Sequence, residues 1–76
     1  MANLEHSFNI FLENVKRLRE RYALSKKKMA GIMDVSIYTI NKIERGELPP
    51  KMSVTVVFNL ERYFGIAASE LVSVLV

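Results

Sequence analysis

The segment from Leu24 to Gly46 limits the possible folds of this chain more than any other. Ser25 and Ser36 each precede a run with apolar residues at three- and four-residue steps, and serine is a preferred cap of a helix N-terminus. Asp34 lies between the runs and tolerates left-handed backbone better than most residues. A glycine such as Gly46 is typical of a helix end. The segment therefore predicts two short helices joined by a tight turn. They run from Lys26 to Met33 and from Ile37 to Arg45.

A longer amphipathic helix is predicted before this segment. It runs from about Phe8 to Tyr22, and residues before Ser7 could extend it. Its apolar residues follow helical spacing. They are Phe8, Phe11, Leu12, Val15, Leu18 and Tyr22.

Two helices are predicted after the segment, and the first of them has conflicting signals. The run from Val54 to Val57 favours a strand by propensity. However, apolar residues recur at helical steps up to Phe64, and Gly65 closes the run, so we expect a helix from Val54 to Phe64. That spacing places Val54, Val57, Leu60 and Phe64 inward. A last helix is predicted from Ala68 to about Leu75. The fold class is therefore all-α, with five helices in one domain over residues 1–76.

Composition excludes several kinds of function. The chain has 76 residues and no cysteine, so disulfides and thiolate metal sites are excluded. His6 is the only histidine, and the carboxylates show no paired spacing for acid–base chemistry. The serines are better explained as helix caps than as nucleophiles. We therefore expect no enzyme activity, cofactor, metal or small-molecule substrate.

The chain also lacks the patterns that would direct it to or across a membrane. No apolar run approaches the ~20 residues that a transmembrane helix needs. The first residues lack the basic start and small-residue cleavage site of a signal peptide. A cytoplasmic protein is the expectation.

The positive charge is concentrated in one part of the sequence. The net charge is only +3, but seven of the eleven basic residues lie between Lys16 and Lys28. After Lys51 the only basic residue is Arg62, and the remaining sequence is largely apolar. This distribution indicates a polyanion on one side of the protein and a packing surface on the other.

The predicted second short helix has an outer face suited to DNA. We expect an interior closed by Met29, Met33, Val35, Ile40 and Ile43, with Ala30 where the two helices approach. This leaves a polar and aromatic face outward, which fits the major groove. The candidate base-reading residues are Ser36, Ile37, Tyr38, Asn41 and Lys42. Ile37 would meet a thymine methyl or sugar, Asn41 adenine, and Lys42 guanine or phosphate. Ile37 and Tyr38 could alternatively be core residues.

These residues resemble the phage lambda repressor and Cro family of helix-turn-helix proteins. The matching positions are Leu24, Ser25, Ala30, Val35, Ser36, Ile40, Ile43, Glu44, Arg45 and Gly46, and the similarity extends over about residues 14–72. The resemblance implies a compact DNA-binding domain and the docking geometry of the family, in which the second helix of the pair lies in the major groove. It also implies a partly buried ion pair between Arg19 and Glu44 that orients the two helices carrying them.

The sequence departs from the family pattern at the start of the first short helix. Lys26 stands where the family has glutamine, Lys27 and Lys28 replace an acidic first turn, and Asp34 replaces the turn glycine. Cations at a helix N-terminus oppose the helix dipole, so three in succession point to another role. Phosphate binding fits, because the exposed amides there also favour anions. A solvated charged face is the alternative. The full set of candidate phosphate contacts is Lys26, Lys27, Lys28, Thr39, Arg45 and Lys51.

An apolar surplus remains after the core is assigned. The candidate dimer residues are Val56, Phe58, Tyr63 and Leu75, and Leu71, Val72, Val74 and Val76 add to the apolar end. These residues could pack against Phe8 and Phe11, or they could form a homodimer surface. A dimer would suit the two half-sites of a palindromic operator.

The residues from Leu24 to Gly46 favour a sequence-specific regulator of transcription that binds duplex DNA, and the family resemblance implies that it acts as a repressor. The first alternative is a protein-interaction module of the same fold, such as an antitoxin or antirepressor. The basic half of the chain argues against pure protein binding, whereas the apolar end is compatible with it. The second alternative, a small hydrolase or nuclease, is disfavoured by the lack of metal-ligand clusters.

Overall fold

The computed structural model describes residues 4–47, 49 and 52–76, and these form an all-helical domain. Within these described residues, five helices follow one another. They are α1 (Leu4–Arg21), α2 (Lys26–Met33), α3 (Ile37–Glu44), α4 (Val54–Phe64) and α5 (Ala68–Leu71). The predicted fold class and number of helices are confirmed. α1 begins four residues earlier than the sequence placed it, and α5 ends four residues earlier.

The helices enclose one core with α2 and α3 side by side. α1 packs against α3 and α5, α2 packs against α3 and α4, and α4 packs against α5. The buried apolar residues come from all five helices. They are Phe11, Leu12, Val15, Leu18, Met29, Ala30, Met33, Ile40, Ile43, Val56, Leu60 and Leu71. The apolar residues at the two ends of the α1 pattern, Phe8 and Tyr22, remain exposed. None of the helices in the described part of the chain combines the length and hydropathy needed to cross a bilayer.

Serine caps begin both helices of the central segment, as the sequence predicts. Ser25 Oγ accepts a hydrogen bond from the Lys28 backbone N–H at 3.0 Å. Ser36 Oγ accepts one from the Thr39 N–H at 3.1 Å. Ser53 occupies the equivalent position before α4, but its side chain makes no capping hydrogen bond. The caps satisfy amides that a helix start leaves unpaired.

The first three helices end in the same backbone motif. In each, a residue in the left-handed region donates a hydrogen bond to a carbonyl three residues back, and the next residue donates to one five residues back. Ala23, Asp34 and Gly46 are the left-handed residues, with φ of 53°, 60° and 77°. Asp34 and Gly46 occupy the ends predicted from sequence. The alanine was not predicted there, because its methyl group disfavours this conformation.

Replacing Ala23 with glycine is expected to stabilise the protein. The left-handed conformation costs a non-glycine residue about 1–2 kcal/mol. Glycine removes this cost, but it lowers stability by about 0.4–1 kcal/mol because the unfolded chain gains conformational entropy. The free energy of unfolding should rise by about 0.5–1 kcal/mol, which raises Tm by roughly 4–8 °C per kcal/mol in a domain of this size. Thermal unfolding followed by circular dichroism measures the change. Ala68→Gly, at the first residue of α5, is the control at a position without positive φ and should not raise Tm. A decrease in both variants would contradict the prediction.

The orientation of α4 corrects two expectations from the sequence. Val56, a candidate dimer residue, is only 5% exposed and belongs to the core, whereas Val54, expected to face inward, is 71% exposed. Val56 and Leu60 are buried, and Val57 and Phe64 pack against the core, which is a consistent helical face. Val56 therefore cannot contribute to an exposed dimer surface.

The apolar end of the chain is anchored by Asn14, a residue to which the sequence analysis gave no role. Asn14 is fully buried. Its Nδ2 donates to the Leu71 and Val74 carbonyl oxygens, both at 2.8 Å, and its Oδ1 accepts from the Val76 N–H at 2.9 Å. Leu71 is buried, Val72 and Val76 pack against the core, and Val74 and Leu75 are exposed. The apolar end thus divides into a packed part and an exposed part.

Candidate nucleic-acid interface

α3 presents the candidate base-reading residues because its opposite face is buried. Ile40 and Ile43 are in the core, while Ile37 is 45% and Tyr38 61% exposed. Asn41 and Lys42 are partly exposed. At 100° per residue, the exposed positions lie on the side of the helix opposite to the buried pair. The alternative that Ile37 and Tyr38 are core residues is therefore wrong.

The start of α3 is fixed by a compact hydroxyl pair. Ser36 caps the helix, and its Oγ lies 3.1 Å from Thr39 Oγ1. Ser36 is exposed and Thr39 partly exposed. Two hydroxyl groups therefore stand at the end of α3 that a major groove would meet first.

An ion pair joins α3 to α1. The Arg19 guanidinium donates to Glu44 through Nε and through Nη2, the latter at 3.0 Å to Oε1. Arg19 Nη1 also donates to the Leu24 carbonyl oxygen at 2.9 Å. The hydrogen bond to Glu44 raises the pKa of Arg19 above its ordinary value. This bidentate contact, together with the Leu24 bond, fixes the rotation of α3 relative to α1 and to the chain before α2.

Lys26 contacts α3 directly. Its Nζ donates to Asn41 Oδ1 at 2.8 Å, so the start of α2 is joined to the middle of α3. An ammonium group has donors only, so the amide oxygen of Asn41 must be the atom that faces Lys26. The Asn41 amide nitrogen is then the group left to donate to another acceptor.

The other two lysines of α2 lie on a different side. Lys28 Nζ stands 6.0 Å from the ring centre of Tyr63 on α4. Lys27 and Lys28 line an open depression between α2 and α4. The sequence grouped the three lysines as one phosphate-binding run, but the helix divides them, with Lys26 toward α3 and Lys28 toward α4.

The last turn of α3 carries a cluster of charges with an aromatic ring. Lys42 Nζ lies 5.5 Å from the ring centre of Tyr38 and donates to Glu47 Oε1 at 3.1 Å. Arg45 Nε donates to Glu47 Oε2 at 3.1 Å. The hydrogen bond from Lys42 and, to a smaller extent, that from Arg45 hold the pKa of the Glu47 carboxyl below its ordinary value. The hydrogen bond to Glu47 also raises the pKa of Lys42 above its ordinary value. Sequence reasoning gave Glu47 no role at this surface. Lys51, a further candidate phosphate contact, lies outside the described residues.

Two of the remaining dimer candidates, Phe58 and Tyr63, lie on different sides of α4. Phe58 and Tyr63 are both exposed on α4, but five residues apart they point about 140° from each other around the helix axis. Tyr63 contacts the ring of Phe64 with centres 5.0 Å apart and lies beside Lys28. Phe58 and Leu75 remain as exposed apolar side chains.

A family model described as helix-turn-helix matches residues 15–71, which is well over half of the chain and includes α2, the turn and α3. No curated protein and no solved structure matched. The matched span, the all-helical architecture and the capped α2–α3 pair agree with one another. The chain belongs to the Cro/C1-type helix-turn-helix family, whose members have a DNA-binding regulatory domain.

Proposed function

We propose that this protein binds double-stranded DNA sequence-specifically by placing α3 in the major groove, and that it represses transcription. The main support for the proposal is that α3 has one buried face and one exposed face. Ile40 and Ile43 are buried in the core, whereas Ile37 and Tyr38 are exposed beside Asn41 and Lys42. A helix held by one face with a polar and aromatic opposite face can enter a groove about 12 Å wide.

Positive charge around α3 supports a polyanionic partner. The sequence pI is about 9.5. Lys26 and Arg45 flank the exposed face of α3 and suit the phosphates on either side of a groove, with Thr39 at its start. Contacts of this kind set position and affinity on any duplex, and the exposed side chains of α3 would supply the preference for particular bases.

The proposed form on DNA is a homodimer on a palindromic operator. Phe58 and Leu75 are apolar and exposed, as a self-association surface requires. Two copies of α3 would then read two half-sites one helical turn apart. Such a regulator would act in the cytoplasm, with the DNA. Repression follows if the bound dimer blocks access of polymerase to the promoter.

In vitro selection of duplexes from a random library tests the proposal. An enriched palindrome with half-site centres about 10–10.5 base pairs apart is the expected result. Methylation of guanine N7, in the major groove, should then interfere with binding, whereas methylation of adenine N3, in the minor groove, should not. A library that yields no enriched sequence, or interference confined to adenine N3, would overturn the proposal. Selection should be repeated with any co-purified protein, because tight binding of that protein without sequence enrichment would favour a protein-interaction module.

A further inference from the structure

A carboxylate stands among the cations of the proposed DNA interface. Glu47 follows α3 directly, and its two oxygens accept hydrogen bonds from Lys42 Nζ and Arg45 Nε, both at 3.1 Å. Both cations are candidate DNA contacts, one for bases and one for phosphate. A single carboxylate therefore partly neutralises two groups that the proposed function would direct to a polyanion.

The backbone holds Glu47 in this position. Its N–H donates to the Lys42 carbonyl oxygen at 2.9 Å, closing the left-handed turn at Gly46. The chain thereby turns back along the last turn of α3, so the carboxylate is carried beside the same residues that α3 exposes. The ring of Tyr38, four residues earlier on the helix, has its centre 5.5 Å from Lys42 Nζ. The ring, the two cations and the carboxylate form one continuous cluster.

The ion pairs of this cluster add little to the stability of the fold. The Glu47 side chain is 48% exposed, and its partners Arg45 and Lys42 are 57% and 22% exposed. Ion pairs made by such an exposed carboxylate contribute little to stability. A glutamate carboxylate is already charged at neutral pH, and the hydrogen bonds from Lys42 and Arg45 lower the pKa of Glu47 further. A fixed negative charge at this place must repel phosphate, whatever the base sequence.

We propose that Glu47 determines specificity by holding Lys42 and Arg45 in one orientation, in which their remaining N–H donors meet a preferred operator. The inference rests on the proposed function and adds a residue to it. On random DNA, affinity comes almost entirely from phosphate contacts, and Glu47 weakens these directly. On the operator, Lys42 and Arg45 keep their hydrogen bonds to Glu47 and use their remaining N–H donors for a base edge and a well-placed phosphate. The carboxylate then orients both contacts, which offsets its repulsion of phosphate there. Glu47 thus lowers non-specific binding more than specific binding.

Glu47→Gln tests the inference, because it removes the charge and keeps the size. Glu70→Gln is the matched control, because it removes the same charge from an exposed residue of α5. Helix α5 packs against α4 and α1, whereas α3 packs against α1 and α2. Binding to the selected operator and to a random duplex is measured by fluorescence anisotropy at several salt concentrations. Thermal unfolding of both variants checks that the fold is kept.

Glu47→Gln is expected to bind random duplex roughly 5- to 30-fold more tightly, as two surface ion pairs no longer compete with phosphate. The slope of log affinity against log salt should increase in magnitude by about one to two units on random duplex. On the operator the gain should stay below about threefold, so the specificity ratio falls. Glu70→Gln should change both affinities and both slopes little.

Equal gains on the two duplexes, or values for Glu47→Gln that match those of Glu70→Gln, would overturn the role of Glu47 and leave the proposed function intact. A wild-type protein with the same affinity for every duplex would instead overturn the proposed function, and the role of Glu47 with it. The wild-type measurement therefore separates the two failures.

Discussion

Replacing Asn14 with alanine is expected to lower the free energy of unfolding by about 2–4 kcal/mol. The change leaves two carbonyl oxygens, of Leu71 and Val74, and the N–H of Val76 without their partner. A buried polar group without a partner costs about 1–3 kcal/mol, and the groups of Val74 and Val76 are only partly buried, so the total stays below the simple sum. Because native domains are stable by only about 5–15 kcal/mol, the loss is a large share of the whole.

Urea unfolding followed by circular dichroism measures this loss. The matched control is Asn9→Ala, which removes the same side chain from an exposed position of α1 and should change stability by less than about 0.5 kcal/mol. Hydrogen exchange should also become faster in α5 than in α2 for Asn14→Ala, since the lost bonds hold the end of the chain to α1. Similar stability for the two variants would show that water replaces Asn14 without cost.

The second large effect is expected at the Lys26–Asn41 pair. Asn41→Ala should weaken binding to the operator by about 1–3 kcal/mol and leave random DNA almost unaffected. Lys26→Ala should weaken binding to both duplexes and reduce the magnitude of the salt slope by about one unit. Because Lys26 Nζ donates to Asn41 Oδ1 at 2.8 Å, Lys26→Ala should also free the Asn41 amide to rotate, which adds a loss on the operator alone.

A double-mutant cycle on the operator isolates this coupling. The combined variant should lose less than the sum of the single losses, with a coupling energy of at least about 0.5 kcal/mol. Lys27→Ala is the matched control, since it removes the same charge from the next residue, which lines the depression between α2 and α4. Its loss should be equal on operator and random duplex and additive with that of Asn41→Ala. Additivity for Lys26 as well would show that it contacts phosphate without positioning Asn41.

Much of the helix-turn-helix unit was predictable because its signals are local. Ser25 and Ser36 cap helices through bonds to backbone amides three residues away. Asp34 adopts the left-handed conformation that its position in the sequence indicated. Each of these contacts lies within one helical turn, so short stretches of sequence contain both partners.

The neighbours of the α2 lysines could not be predicted from such local patterns. Consecutive residues on a helix point 100° apart, so Lys26 and Lys28 face different neighbours although they lie two positions apart. Whether a lysine meets Asn41 or Tyr63 depends on where α3 and α4 pack around α2. No pattern within α2 contains that information.

The chain's own order of residues determined the number of helices, the turn between α2 and α3, and the face of α3 that stays outside the core. These features arise from caps, helical spacing and left-handed ends, which act over three to five residues. Only the tertiary structure decided that Val56 is buried, that Asn14 holds a segment 57 residues away, and that Glu47 restrains two cations of the proposed interface. The physical reason is that burial and hydrogen-bond partners are set by how whole helices pack, and packing joins residues that the sequence keeps far apart.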